Sequence, residues 1–453
     1  MNARRRFDPA TLAERMLEQA KQMGATAADL LFAEAESMGV RVRMGEIERL
    51  ESAQEQRLGL RCFIGRRSAS TSTSDLSPDS IRELVARTCG LAKVTAEDPA
   101  AGLPDPSEWA KLIPDLDLYD EAAARLTAED RIGLAKRAEG AALAVDPRLT
   151  NSEGADCDYG GAEVWYASSS GFIGSYRGTR TSISVSPVAA QNGRMQRDYW
   201  YTSGRHLRHL ISPDEVGRIA AERTLRRLGA RPVKTQQAPV IFDPETASQL
   251  LGTIVSAVSG YSLYRRASFL VDQLTKPVAA PIVTVEDDGT IPREVGSKPF
   301  DGEGLPTRKK KVIDGGVLKS YLLDCYTARK LNLKPTGNAT RGVGDPPGVA
   351  PTNLRLVPGE SAPEAIIRSV PNGLYVTELI GFGINLATGD YSQGAAGVWI
   401  EKGELTFPVE EVTIAGNLRD MLMQIEAIGN DLPPHRGVAS PTIKIGRMTI
   451  AGT

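Results

Sequence analysis

Residues 284–342 read TVEDDGTIPREVGSKPFDGEGLPTRKKKVIDGGVLKSYLLDCYTARKLNLKPTGNATRG, and 346–356 continue PPGVAPTNLRL. Glu286-Asp287-Asp288-Gly289 and Asp301-Gly302-Glu303-Gly304 are turns, because Asp and Gly tolerate the backbone angles of tight reversals. Short apolar runs lie around them. Ile282–Val285, Lys310–Ile313 and Val317–Leu322 are expected to be strands, the last two joined by Asp314-Gly315-Gly316 as a hairpin. Cys325–Leu331 is expected to be a short helix, stopped by Pro335-Thr336-Gly337-Asn338. Strands of this length, punctuated by acidic and Gly-rich turns, point to a β-rich domain.

The pattern continues to the end of the chain. Residues 373–422 read GLYVTELIGFGINLATGDYSQGAAGVWIEKGELTFPVEEVTIAGNLRDML, followed by Ile428-Gly429-Asn430-Asp431-Leu432 and a closing strand Pro441–Ile445. Many short strands with close reversals imply a closed or strongly curled sheet. Gly381-Phe382-Gly383-Ile384-Asn385 superficially suggests a phosphate loop. No helix follows it, and an anion cradle needs a helix N-terminus, so a strand with close backbone approach is the better reading.

Upstream, two blocks share one plan. Asp8-Pro9 caps an amphipathic helix with Leu12, Met16, Leu17, Ala20 and Met23 on its apolar stripe. Strands are expected at Leu30–Ala33, Val40–Met44, Glu46–Leu50, Arg57–Ile64 and Ser68–Ser72, then a second helix after Ser77-Pro78. The second block has a helix capped by Thr127, strands near 150–153, 162–166, 172–176 and 179–187, an Asn192-Gly193 hairpin, a strand at Asp198–Thr202, and a helix opening at Ser212-Pro213. Asp98–Pro114 and Gly229–Pro239 read as linkers. The expected organisation is α+β: residues 1–97 and 115–229 as α+β layers of antiparallel sheet and packed helices, then 238–453 as a β-rich domain.

Composition narrows the function classes. A net charge of −2 over 453 residues argues against a dedicated nucleic-acid binder, and the basic runs Arg4–Arg6 and Arg308–Lys311 are short. No apolar run reaches spanning length, so no membrane role is expected. The N-terminus is basic without an apolar core, unlike a secretory leader. Four scattered cysteines, Cys62, Cys89, Cys157 and Cys325, read as free thiols of a cytoplasmic protein. The three histidines are His206, His209 and His435. His206-x-x-His209 has Arg205 before it and Arg208 within it and reads as a solvated basic helix or loop, since the local charge opposes a dication. His435, after Pro433-Pro434, reads as a surface turn residue. The carboxylates at 286–288 and at Glu410-Glu411 are read as structural.

The order of elements from 284 through the Pro-Thr-Gly-Asn turn, and the Gly-rich strands to Ile445, resemble the TldD/PmbA family of bacterial peptidase-related proteins. That resemblance implies a β-rich domain holding a zinc site: a His-Glu-x-x-x-His motif on an early helix, completed by a Cys near the C-terminus. The matching helix here is 247–257, ASQLLGTIVSA, so Gly252, Thr253 and Ala257 stand in the motif positions. None is a zinc ligand or a proton-transfer group, and 430–441 contains no Cys. Gly252 is also read as a position of close helix packing. The departure points to the PmbA (TldE) type: a subunit with no catalytic residue and no cofactor of its own.

The resemblance further implies zinc in a TldD-type paralogue as partner, and processing of peptide precursors and small unfolded proteins, with older links to modulation of DNA gyrase inhibitors. Heterodimer, or homodimer when isolated, are both open, as is a stand-alone homodimeric peptide-binding or scaffold protein. An enzyme with an unrecognised site is the third reading. Gly337 and Asn338 are candidates for substrate contact, with a helix stop and turn as the alternative. Leu374, Tyr375, Phe382, Trp399 and Phe407 are candidate surface apolar residues for the subunit contact.

Overall fold

The computed structural model describes residues 8–452; the basic run Arg4–Arg6 lies outside them. Helix α1 (Pro9–Gln22) begins at the expected cap, the Asp8 carboxylate accepting from the Thr11 amide at 2.9 Å, and buries Leu12, Met16 and Ala20. Strands β1 (Ala27–Arg43) and β2 (Glu46–Ile64) then form one long hairpin. Its turn, Met44-Gly45, has φ of 50° and 80°, the left-handed pair a two-residue hairpin requires. Next come β3 (Arg67–Thr73) and helix α2 (Pro78–Val94), capped by Ser77.

The second block holds helices α3 (Glu121–Arg125) and α4 (Ala128–Leu143), strands β4 (Leu149–Ser168), β5 (Ile173–Gln191), β6 (Arg194–Arg197) and β7 (Trp200–Gly204), and helix α5 (Pro213–Leu225). The short strands expected from sequence are thus fragments of longer ones. Gly39, which looks like a break, lies inside β1: a Cβ there would meet the Asp158 carboxylate at 2.9 Å, so glycine serves a close cross-strand approach. The strand returning from Asn192-Gly193 is β6, and β7 pairs separately with β5.

One antiparallel sheet, ordered β3-β2-β1-β4-β5-β6 with β7 also on β5, runs through both blocks. Strand β1 is the joint, pairing β2 on one side and β4 on the other. Leu30 and Phe32 pack under α1 and α2, and Val40 and Val42 pack under α4 and α5. These residues share one face of β1, so both helix pairs cover the same side of the sheet.

The C-terminal block follows as β8 (Gln236–Phe242), α6 (Pro244–Val258), α7 (Gly260–Tyr264), β9 (Val285–Asp288), β10 (Lys309–Asp314), β11 (Val317–Leu318), α8 (Cys325–Leu331), β12 (Ala339–Thr340), β13 (Gly348–Val349) and β14 (Leu354–Leu356). It ends with α9 (Pro363–Arg368), β15 (Asn372–Ile380), β16 (Ile384–Asn385), β17 (Asp390–Glu401), β18 (Glu404–Asn417), α10 (Leu418–Met423), β19 (Ile425–Ile428), β20 (Val438–Ala439) and β21 (Ile443–Ala451). The order β15-β8-β21-β18-β17, with β15 also paired to β17, closes a barrel. A second sheet, β11-β10-β9-β14-β20, lies beside it. The expected helix α8 and the Gly315-Gly316 hairpin turn are in place, although β11 is shorter and β9 later than the sequence pattern implied. Leu374 and Trp399 are core residues at 0% and 4% exposure, because they are paired barrel positions; only Phe382, at 101%, is a fully exposed apolar residue of that group.

The sheet meets the C-terminal block across a buried charge cluster. Asp29 of β1 accepts from Arg61 Nε at 3.1 Å, Arg341 Nη1 at 2.9 Å and the Tyr166 hydroxyl at 3.0 Å. Arg61 also lies 3.7 Å from Glu303, whose carboxylate accepts the Cys325 amide at the start of α8. Two guanidiniums therefore face two carboxylates. Burial alone would raise the Asp29 pKa; Arg341 and then Arg61 outweigh it and hold the carboxyl below its ordinary value. Among the described residues no helix is long and apolar enough to cross a membrane.

Candidate functional site: helix α6 and the cavity beside it

Helix α6 carries positions 252, 253 and 257, where the resemblance expects the zinc motif, and is firmly seated. Asp243 caps it, accepting from the Thr246 amide and hydroxyl at 2.9 Å each. Burial raises the Asp243 pKa, opposed by Arg223 of α5, which lies 3.5 Å away and also donates to the Thr377 carbonyl. The inward face buries Leu250, Leu251, Ile254, Ala257 and Val258 in the main core. Ser248 Oγ accepts the Ser440 amide at 2.9 Å, fixing the end of the 433–440 segment to the helix.

The three motif positions do not share one environment. Gly252 is half-buried, and a Cβ there would meet no heavy atom within 4 Å, so the expected close packing is absent. Thr253 is also half-buried and donates its hydroxyl to the Gln249 carbonyl at 3.4 Å. Ala257 is fully buried, and its carbonyl accepts the Ser268 hydroxyl at 2.7 Å. Zinc takes imidazole, thiolate or carboxylate donors. Positions 252, 253 and 257 offer none, and in 430–441 Asp431 is engaged with Thr442 at 2.9 and 2.7 Å. These residues do not fit the metal.

Beside the first half of α6 lies a cavity of about 640 Å³. Glu245, Ser248 and Gln249 form one wall, Tyr199–Ser203 from β7 and its approach another, and Pro433–Val438 a third. Here the structure brings together what sequence reading kept apart. His206 is buried, its Nε2 2.8 Å from the Asp117 carbonyl. His209 lies 5.7 Å from it by ring centroid and stacks on His435 at 4.1 Å with the planes 1° apart. His435 is half-buried, its Nδ1 3.4 Å from Glu294, so it is no simple surface residue. Burial, then His435 and His206, depress the His209 pKa. Parallel stacked rings send their in-plane lone pairs in parallel directions and cannot converge on one ion. No sequence periodicity links positions so far apart; the only signal was that three histidines all sit beside arginines or prolines.

Gly337 and Asn338 lie elsewhere, in the turn after α8. Gly337 has φ 73°, and a Cβ would lie 2.5 Å from the Pro306 carbonyl oxygen, so only glycine fits. Asn338 is 1% exposed and donates both amide hydrogens, to Asp287 at 2.8 Å and to the Ala350 carbonyl at 3.1 Å. Asp287 also accepts from Lys310 at 2.9 Å and from Thr352 at 2.7 and 2.8 Å. The pair thus serves the scaffold of the 284–356 stretch, and Asn338 retains no free donor for a ligand.

The chain matches three successive family models: PmbA/TldA metallopeptidase domain 1 over residues 28–92, the central domain over 121–228 and the C-terminal domain over 235–452. It is 39% identical over 426 residues to metalloprotease PmbA of Escherichia coli O157:H7, covering 94% of this chain and 92% of that protein. It is 35% identical to the PmbA homologue of Haemophilus influenzae, over 96% and 94% of the two chains. Among solved structures, a candidate modulator of DNA gyrase from Bacteroides thetaiotaomicron superposes with TM-score 0.91 at 30% identity, covering 98% of this chain and 99% of that one. TldE from Thermococcus kodakarensis, 20% identical, shares the fold with TM-score 0.88 over 97% and 100% of the chains.

Proposed function

The chain belongs to the PmbA/TldD metallopeptidase family, on its PmbA side, and from that premise we propose that it is the subunit of a two-component peptidase that does not itself hold the zinc. Its partner is a TldD-type paralogue carrying the metal, and its substrates are peptide precursors and small unfolded proteins in the cytoplasm. The observation that carries this reading is the chemistry of α6. The helix keeps its cap, its core face and its tie to the C-terminal segment, while the motif positions present Gly252, Thr253 and Ala257.

No proton transfer or metal polarisation is assigned to this chain. Its part is to pair with the catalytic subunit and to hold peptide in extended form, for which main-chain hydrogen bonding at a sheet edge is the general means. The outer half of β2, Glu46–Arg57, is such an edge: β3 pairs only with residues 58–64. Its side chains are mostly charged or polar, which suits transient rather than permanent strand addition.

The test is purification of the chain alone and with a TldD-type partner, with elemental analysis and a peptidase assay on each. The expected result is no stoichiometric zinc and no cleavage by the isolated chain, and activity when both are present. One zinc per isolated chain with metal-dependent cleavage overturns the reading.

A further inference from the structure

The cavity beside α6 is rich in donors and poor in free acceptors. Its walls carry two guanidiniums, Arg180 and Arg436, against one carboxylate, Glu245. Glu245 is already paired with Arg436 at 2.5 Å, and Arg436 also lies over the Tyr201 ring at 4.7 Å. Arg180 is different: it is exposed, its Nε donates to Ser203 at 2.9 Å, and no carboxylate faces its remaining N–H groups among the described residues. Tyr199 and Tyr201 stack at 6.2 Å beside it, and neither hydroxyl has a hydrogen-bond partner among the described residues. The Gln249 side chain, exposed on α6, adds a further amide.

We propose that this cavity binds a carboxylate of an extended peptide, with Arg180 as the principal charge and the Tyr199 and Tyr201 hydroxyls as flanking donors. A free guanidinium fork matches a carboxylate bidentately. The stacked tyrosines supply an apolar wall with polar tips for the adjoining residue. Position matters as well as chemistry: Ser248 and Gln249 precede Gly252 by one helical turn on the same side of α6, so the anchored peptide end lies beside the altered motif. The carboxylate is either the peptide's own C-terminus or an acidic side chain. This inference rests on the reading that the chain handles peptides, and names the group it grips.

The experiment uses the full-length chain and three probes: N-acetyl-tetra-alanine with a free carboxyl end, the same peptide as its amide, and N-acetyl-Ala-Ala-Asp-Ala-amide. Binding is followed by calorimetry and by the fluorescence of Trp200 in the cavity wall. The acid is expected to bind at least tenfold more tightly than the amide. Arg180→Ala removes that difference, Arg180→Lys restores part of it, and Tyr199→Phe reduces it.

Equal binding by the aspartyl amide and the acid assigns the site to any carboxylate, whereas binding of the acid alone assigns it to C-termini. Indifference to amidation, retention of the acid preference in Arg180→Ala, or no binding of any probe overturns the proposal. Association with a TldD-type partner, measured on the same preparations, separates this failure from failure of the subunit reading: loss of peptide preference with intact association refutes only the cavity assignment.

Discussion

Replacing Arg341 with Met tests how the N-terminal sheet is held to the C-terminal block. The side chains of Arg341 and Asp29 are both fully buried, and the cluster of Asp29, Glu303, Arg61 and Arg341 sums to zero charge. Met fills most of the volume, so the cost is chiefly electrostatic. One guanidinium is left to serve two buried carboxylates, and removing one partner from such a pair costs about 3–5 kcal/mol. Arg61 and Tyr166 still contact Asp29, which places the expectation at the lower end, about 3 kcal/mol, read from urea unfolding by circular dichroism.

Adding Asp29→Asn restores neutrality, so the double variant is expected to lose less than the sum of the two single losses. The pH dependence has a definite sign. In the native chain Asp29 is held below its ordinary value, so its contribution is present above about pH 4 and is lost as pH falls through the folded pKa. In Arg341→Met, burial pushes a carboxyl of the cluster upward instead, so the deficit against the native chain grows as pH rises from about 5 to 8. A loss below about 1 kcal/mol, or a deficit that shrinks with rising pH, refutes the reasoning.

Two further outcomes are expected. The triple variant Gly252→His, Thr253→Glu, Ala257→His gains no zinc-dependent peptidase activity, because 430–441 supplies no Cys, its Asp431 is held by Thr442 and its His435 is stacked on His209; its stability falls by about 1–3 kcal/mol from overpacking at buried Ala257, and Gly252→His alone costs little. Vigorous metal-dependent cleavage by this variant would show a competent pocket after all. Phe382→Ser, at a fully exposed tip beside half-exposed Ile380, leaves stability within about 0.5 kcal/mol but weakens association with a TldD-type partner at least tenfold; unchanged affinity in a pull-down titration removes that tip from the contact.

Local signals in the sequence were legible where local chemistry decides the structure. Asp8, Ser77, Thr127 and Ser212 all cap helices, with Pro at the start of three of them, and Asn192-Gly193 and Gly315-Gly316 are true hairpin turns. Strand lengths were not legible. The polar middle of β1 looks like a connection, yet cross-strand pairing with β4 carries it through, and pairing partners more than a hundred residues apart leave no local mark. The same reason hid the cavity. Histidines in two basic or Pro-rich segments read as solvated, whereas the loop bearing His435 folds back onto the short 3-10 turn Leu207–His209 through packing that only the tertiary structure specifies. The identities at 252, 253 and 257 are read directly from the sequence; that Gly252 faces open space and Ala257 the core is a matter of helix seating.

That seating shows what holds α6 in place with Gly252, Thr253 and Ala257 on it. What fixes α6 is its cap on Asp243, the Arg223 contact from α5, the Ser248–Ser440 bond and the inward row from Leu250 to Val258. None of these involves the outward positions 252 and 253, so fold stability places no demand on what they carry. Position 257 is under the opposite pressure, since only a small apolar residue fits without displacing the core. The helix can therefore carry Gly252 and Thr253 without disturbing its seat, while Glu245, Ser248 and Gln249 in its first turns line the neighbouring cavity. On the proposed subunit reading, the seat of α6 and the absence of ligands at 252 and 253 are compatible because the cap, the Arg223 contact and the inward row do not use those two positions, and the chain would contribute by what it holds next to a partner's metal.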